Sequence, residues 1–318
     1  MAQESWFIKP ELITNWTINP IAGGGFGDVF RATYLGADVA VKQLRCTCTR
    51  AELAEFRREI NIWHRLHHPH ILPLLGACDT ESKPFMVSPF MPNGTLKGYV
   101  SVADAPRSVG EKLALLIQVT SGMTYLHTYS IVHGDLKSQN VLLDAGPRAV
   151  ISDFGMSQTK YSSASIRTNM GGMVGGTMDH MAPEMFDDDD PAGSSKRTDV
   201  YAFGIMTYET LNNGKPSWVT SDGRPMKDKV IESQICRGKR PRRVPEIADS
   251  LWQLLERFWH QDPGSRPAFP EIANHLKVCN EELPNETPSQ SLHQPLCNPK
   301  LVALPLGSRS SRSSGVGI

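Results

Sequence analysis

An α+β fold in two lobes is predicted for this chain, a small antiparallel β-rich lobe with one helix, then a larger and mainly helical lobe. Three observations on the 318-residue sequence predict it. The first ~90 residues alternate short apolar runs with turn residues. One stretch among them repeats apolar residues at spacings of three and four. Residues 111–280 then keep helical spacing almost throughout.

The elements follow in order. Residues Val29 to Tyr34 and Asp38 to Lys42 read as a hairpin, with Leu35-Gly36-Ala37 as its turn region. Leu53, Phe56, Ile60, Trp63 and Leu66 mark the single helix of the small lobe. Leu113, Leu116, Ile117, Thr120 and His127 trace one face of a long helix in the large lobe. Residues 200–211, VYAFGIMTYETL, are apolar nearly all round, so this helix belongs in the middle of a lobe. Composition shifts once, near residue 280, to a Ser/Pro-rich segment without periodicity. Such a segment buries too little apolar surface to offset its ordering entropy and is expected to be disordered. The expected organisation is therefore an N-terminal extension (1–14), a catalytic or binding unit (15–278, with lobes of about 15–90 and 92–278) and a disordered tail (279–318).

Composition narrows the function classes. With 33 basic and 33 acidic residues the formal charge is zero, which argues against a nucleic-acid clamp or a polybasic membrane anchor. No apolar run reaches the ~18 residues of a membrane span, and the start, MAQESWFIKP, lacks a signal peptide's apolar core. Six cysteines without Cys-x-x-Cys spacing fit a reducing compartment, and a cytoplasmic location is expected.

The residues with chemistry come in two groups. In Ala22-Gly23-Gly24-Gly25-Phe26-Gly27-Asp28-Val29, glycines between two strands let backbone N–H groups approach a phosphate. Taken alone, such a cluster is as often a mere turn. It gains force from Val39-Ala40-Val41-Lys42, where alternation puts Ala40 and Lys42 on one face and the valines on the other. A half-buried lysine wants an anion, and Glu59 on the following helix could hold it toward ligand phosphates; the bland alternative is a surface salt bridge. The second group is His133-Gly134-Asp135-Leu136-Lys137-Ser138-Gln139-Asn140, followed by Ser152-Asp153-Phe154-Gly155. Asp153 and Asn140 offer the oxygen ligands that Mg2+ prefers. Asp135 can accept a hydroxyl proton, and Lys137 can steady a transferring phosphoryl group.

Together with Ala182-Pro183-Glu184, Asp199 and Arg266, these motifs resemble a eukaryotic protein kinase domain over about residues 15–278. EFRREINIWHRLHHPHI and MPNGTL are similar to the tyrosine-kinase-like group of serine/threonine kinases. The resemblance implies Asp135 as catalytic base, Lys137 and Thr177 beside it, a Lys42–Glu59 pair, and Mg2+ on Asn140 and Asp153. It implies an ATP site of Ile21, Ala22, Gly23, Gly24, Gly25, Phe26, Gly27, Val29, Ala40, Lys42, Ser88, Met91 and Leu142. Within it, Val29, Ala40 and Leu142 sandwich adenine, Ser88 is the gatekeeper and Pro89-Phe90-Met91 the hinge. It also implies a buried Glu184–Arg266 ion pair and an Asp199 that braces the catalytic loop. Lysine two residues after Asp135, and Gly176-Thr177, match the serine/threonine pattern. The implied activity is transfer of the ATP γ-phosphate to serine or threonine hydroxyls of protein substrates in intracellular signalling. A nucleotide-binding pseudokinase scaffold and a tyrosine or dual-specificity kinase are the alternatives.

Three residues depart from the family pattern. Ala22 stands where a first loop glycine is usual, His180 where a tyrosine is common, and Gly134 where many kinases carry an arginine that binds an activation-loop phosphate. Other features have plainer readings. His64 and His68 have the i, i+4 spacing of a metal pair but no third ligand. Cys46 and Cys48 are incidental, Asp187 to Asp190 form a solvated insert, and Lys239 to Arg243 an exposed basic run. Ser162, Ser163, Ser165 and Thr168 are candidate autophosphorylation sites.

Overall fold

The computed structural model describes residues 4–24, 27–44, 49–80, 83–153, 178–186 and 193–283. Outside them lie Gly25, Phe26, Thr177, Cys46, Cys48, Asp187 to Asp190, the four candidate phosphorylation residues and the tail from 284 onward.

Six strands form the N-terminal sheet: β1 (Ile13–Thr14), β2 (Ala22–Gly24), β3 (Gly27–Tyr34), β4 (Ala37–Gln43), β5 (Gly76–Cys78) and β6 (Phe85–Pro89). Their order is β1-β3-β4-β6-β5, with β2 also on β3, and every pairing is antiparallel. The hairpin β3–β4 closes more tightly than expected. Leu35 and Gly36, both at positive φ (49° and 81°), make the turn alone, and Ala37 already pairs with Tyr34. Alternation along β4 places Val39 and Val41 in a core with Ile13, Ala32, Phe85 and Val87, while Ala40 and Lys42 are half-buried on the other face. Helix α1 (Arg50–Trp63) turns Phe56, Ile60 and Trp63 inward. Leu66, expected on this helix, lies beyond its end and is buried nonetheless.

The N-terminal segment is no loose extension. Phe7 forms a parallel bridge with Ala77. The Ile8 amide donates to the Ala77 carbonyl and the Ala77 amide to the Trp6 carbonyl, both at 2.8 Å. Trp6 is buried, and its indole N–H donates to Asn61 Oδ1 on α1 at 3.0 Å.

The second lobe carries α2 (Leu96–Val100), α3 (Val109–Thr128), the short hairpin β7 (Val141–Leu143) and β8 (Ala149–Ile151), α4 (Lys196–Leu211), α5 (Asp228–Cys236), α6 (Asp249–Phe258) and α7 (Phe269–Glu281). α3 begins at a reciprocal capping box between Ser108 and Glu111. α4 is the axis of the lobe, since every residue from Thr198 to Leu211 is buried. α7 runs to Glu281, past the boundary expected at 278. Arg266 is 1% exposed and grips Glu184 through both guanidinium Nη atoms, at 2.7 and 2.8 Å. No helix among the described residues is long and apolar enough to cross a membrane.

The structure places two of the plainer features. α1 ends at Trp63, so His64 and His68 do not share a helix face; His68 instead stacks on Tyr125, ring centroids 4.9 Å apart. No group of three metal-ligating side chains occurs among the described residues. The basic run is partly structural: Arg240 donates to the Trp259 carbonyl at 2.7 Å and to Gln261 at 2.8 Å.

Two stability predictions follow from these contacts. A Cβ at Gly76 would sit 2.5 Å from the Trp6 carbonyl oxygen and 2.6 Å from Ile8 Cγ1. Gly76→Val should therefore cost about 1–3 kcal/mol, read as a lower urea midpoint at unchanged slope; an unshifted midpoint would refute the packing of residues 6–8. Glu184→Gln strands the buried Arg266 guanidinium and should cost about 3–5 kcal/mol, and a thermal midpoint equal to wild type would show the pair to be dispensable.

Candidate active site

The site is organised around one buried carboxylate. Asp199 is 1% exposed in the first turn of α4, where the helix dipole favours a negative charge. Its Oδ2 accepts the His133 amide at 2.9 Å and lies 2.8 Å from His127 Nε2, and its Oδ1 accepts the Gly134 amide at 2.8 Å. These bonds hold the start of the catalytic loop. Gly134 takes φ 73°, a left-handed conformation that glycine adopts without strain. His133 is fully buried, and desolvation lowers its pKa against the pull of nearby carboxylates. The ring is therefore neutral, with Nδ1 accepting from the Asp135 amide at 3.2 Å and Nε2 donating to the Ser152 carbonyl at 3.1 Å.

Asp135 follows with its carboxylate held on two sides. Lys137 Nζ lies 3.2 and 3.0 Å from its two oxygens. Asn140 Nδ2 donates to the Asp135 carbonyl at 2.8 Å and to its Oδ2 at 3.2 Å. The Asn140 carbonyl accepts from the Ser152 amide at 2.8 Å, which draws the loop to the strand end before Asp153. Asp153 sits at φ 57° and forms an ion pair with Lys42 from the opposite lobe. Burial opposes charge on Lys42, but Asp153, joined by Glu59 and Asp135, outweighs it and raises the lysine pKa. Lys42 thus pairs with Asp153, and Glu59 on α1, its expected partner, adds to the negative field around it.

Of the residues expected at the ATP site, several are neighbours on the sheet. Ala22 pairs with Val29, Lys42 pairs with Val29 and Met86, and Ala40 pairs with Ser88. Ser88 is 8% exposed, whereas Val29, Ala40, Met91 and Leu142 are half-buried and Ile21, Ala22 and Gly23 exposed. Leu142 forms a bridge with Thr95, across from the sheet. Gly25, Phe26 and Thr177 lie outside the described residues, so the structure does not place them.

Two groups near this site were not singled out from the sequence. His127 was noted only as part of a helix face, yet it serves Asp199. Glu209 lies in the last turn of α4 at 1% exposure, next to Ser138 of the catalytic loop and His180. Its signal was present in the sequence, because a carboxylate inside a stretch apolar all round must find buried partners.

Comparison with known proteins agrees with this geometry. The family model described as protein tyrosine and serine/threonine kinase matches residues 17–276. The serine/threonine-protein kinase STY17 of Arabidopsis thaliana is 31% identical over 86% of this chain and 46% of its own length. The Arabidopsis kinase STY46 is 29% identical over 84% of this chain and 44% of its own. The dual specificity protein kinase splA of Dictyostelium discoideum is 32% identical over 82% of this chain and 11% of its own. The chain thus spans less than half the length of each of these relatives. A family match over residues 17–276, on a fold with the cleft and loop just described, leaves one conclusion: the chain belongs to the protein tyrosine and serine/threonine kinase family.

Proposed function

We propose that residues 15–278 form an active protein serine/threonine kinase, which transfers the γ-phosphate of ATP to hydroxyl groups of protein substrates. The observation that carries this is the convergence of Lys42, Asp135, Lys137, Asn140 and Asp153 in one cleft. A scaffold that had lost catalysis would not need all five. Family membership implies ATP and a divalent metal in general terms.

The donor set fits Mg2+. With Asn140 Nδ2 committed to Asp135, the amide oxygen remains as a hard donor, and the Asp153 carboxylate is the second. When bound, the metal would supply charge neutralisation for the phosphates. Lys42 would hold those phosphates from the opposite lobe, and the glycine-rich strand turn with Ile21, Val29, Ala40, Ser88, Met91 and Leu142 would receive the nucleotide. Asp135 accepts the proton of the substrate hydroxyl as that oxygen bonds to the γ-phosphorus. The bond from the phosphorus to the β–γ bridging oxygen breaks, and its electron pair leaves with ADP. Lys137, already on Asp135, is close enough to the reacting centre to offset charge on the transferring group. Thr177 would contact Asp135 and Lys137, as the family pattern implies.

The serine/threonine class is supported by Lys137 and by the names of relatives such as STY17 and STY46. Dual specificity is the second reading, favoured by the 32% identity to splA.

Asp135→Asn should lower phosphate transfer by at least about 100-fold while leaving the thermal stabilisation by ATP intact. Radiolabel transfer with phosphoamino-acid analysis is the measurement, and label on serine and threonine in the variant at the wild-type rate would sink the proposal. Gly134 provides no cation for a phosphate on the activation segment. Replacing the hydroxyl residues Ser157, Thr159, Tyr161, Ser162, Ser163, Ser165 and Thr168 by alanine should therefore leave the rate within about threefold of wild type, roughly 0.6 kcal/mol in barrier. Loss of activity in a folded variant would show that loop phosphorylation is required.

A further inference from the structure

His180 precedes Met181-Ala182-Pro183-Glu184 and is 6% exposed. Its Nδ1 lies 2.8 Å from Asp179 Oδ1, and its Nε2 lies 3.5 Å from Glu209 Oε2. The second distance is long for a hydrogen bond but within ion-pair reach. The same Glu209 oxygen accepts the Ser138 hydroxyl at 3.1 Å. Glu209, Ser138 and His180 are all buried, and they belong respectively to α4, the catalytic loop and the segment that leads into Ala182-Pro183-Glu184.

A buried carboxylate in the last turn of a helix is costly unless a cation or donors answer it. Among the described residues, His180 is the ionisable group beside Glu209 that can do so. Nδ1 is bonded to Asp179, while Nε2 makes no hydrogen bond and faces the Glu209 carboxylate as an ion-pair contact, an arrangement that suits the imidazolium, which carries a proton on each nitrogen. Burial by itself would discharge the ring. Asp179 and Glu209 reverse that and push its pKa to about 10, so His180 is a standing cation at ordinary pH. A neutral tyrosine hydroxyl could donate to one of these carboxylates but not compensate two. His180 and Met181 also line, with Gly134, Asp135 and Asp199, a cavity of about 20 Å³, room for one water. The segment bearing His180 therefore borders the catalytic base directly.

We propose that His180 is a positioning residue for phosphate transfer to protein: through the Glu209 carboxylate it shares with Ser138, it locks the segment before Ala182-Pro183-Glu184 to the catalytic loop, so that a substrate docked on that segment meets Asp135 in register. The proposal rests on the kinase assignment and deepens it. ATP, held by Lys42 and the sheet, lies outside this linkage. Its loss is felt in transfer to protein and not in nucleotide affinity.

The test uses the full chain, with His180→Gln, Glu209→Gln and the double variant, assayed against a generic basic protein. His180→Gln should lower kcat for protein phosphorylation by about tenfold or more, with the KM for ATP and the ATP-induced thermal shift unchanged. Since either change alone breaks the His180–Glu209 link, adding Glu209→Gln should lower kcat little further. Wild-type kcat in His180→Gln, strict additivity in the double variant, or an equal loss of ATP affinity would each overturn the proposal. Should His180→Gln not fold, Glu209→Gln alone decides it, since that change also breaks the shared link: kcat must fall at constant KM for ATP, and an unchanged kcat overturns the idea. A wild type that binds ATP but labels no protein overturns the kinase assignment and this proposal together; wild-type transfer with indifferent variants overturns this proposal alone.

Discussion

The Asp199 carboxylate is the constraint on which the site depends. It sits in the first turn of a helix buried from Thr198 to Leu211, so it cannot move without moving the lobe. Two backbone amides of the catalytic loop and one imidazole end on it. The loop is otherwise a run of irregular backbone, and such a run keeps its shape only when its polar groups have fixed partners. Asp135 owes its position to this anchor, and the Lys137 and Asn140 contacts refine its orientation. The Arg266–Glu184 pair repeats the device, fixing the segment after the site to the connection between α6 and α7.

Charge in the cleft is balanced across the lobes. Lys42 comes from the sheet and Asp153 from the strand end of the helical lobe, with Glu59 and Asp135 adding to the negative field. The ion pair holds a cation in a partly desolvated place between the lobes. Around α4 the same balance is struck by a histidine, whose protonated ring can donate from both nitrogens.

Much of the fold was legible in the residues. Period-two alternation told Val39 and Val41 from Ala40 and Lys42, and the structure keeps those faces apart. The three–four spacing of Phe56, Ile60 and Trp63 located α1, and the apolar stretch 200–211 identified a central helix. Less legible were features that depend on neighbours distant in sequence. His64 and His68 had a suggestive spacing, but the helix stops at Trp63 and stacking on Tyr125 takes His68 elsewhere. Trp6 looked like part of a leader to the domain. Its burial depends on the edge of β5 and on Asn61, which only folding brings to it.

By itself, the sequence determined the chemical inventory and its order along the chain. A lysine on a strand, an aspartate and asparagine five residues apart, and a second aspartate after a short hairpin have few other uses together. Local periodicity sufficed for the elements because hydrogen bonding within a helix or hairpin is a near-neighbour matter. Only the tertiary structure decided that Lys42 pairs with Asp153, that His127 serves Asp199, and that Glu209 lies between Ser138 and His180. The physical reason is that a buried charge is settled by whichever opposite charge or donor the packing delivers within a few ångströms. That pairing is a property of the folded interior, and spacing along the chain does not encode it.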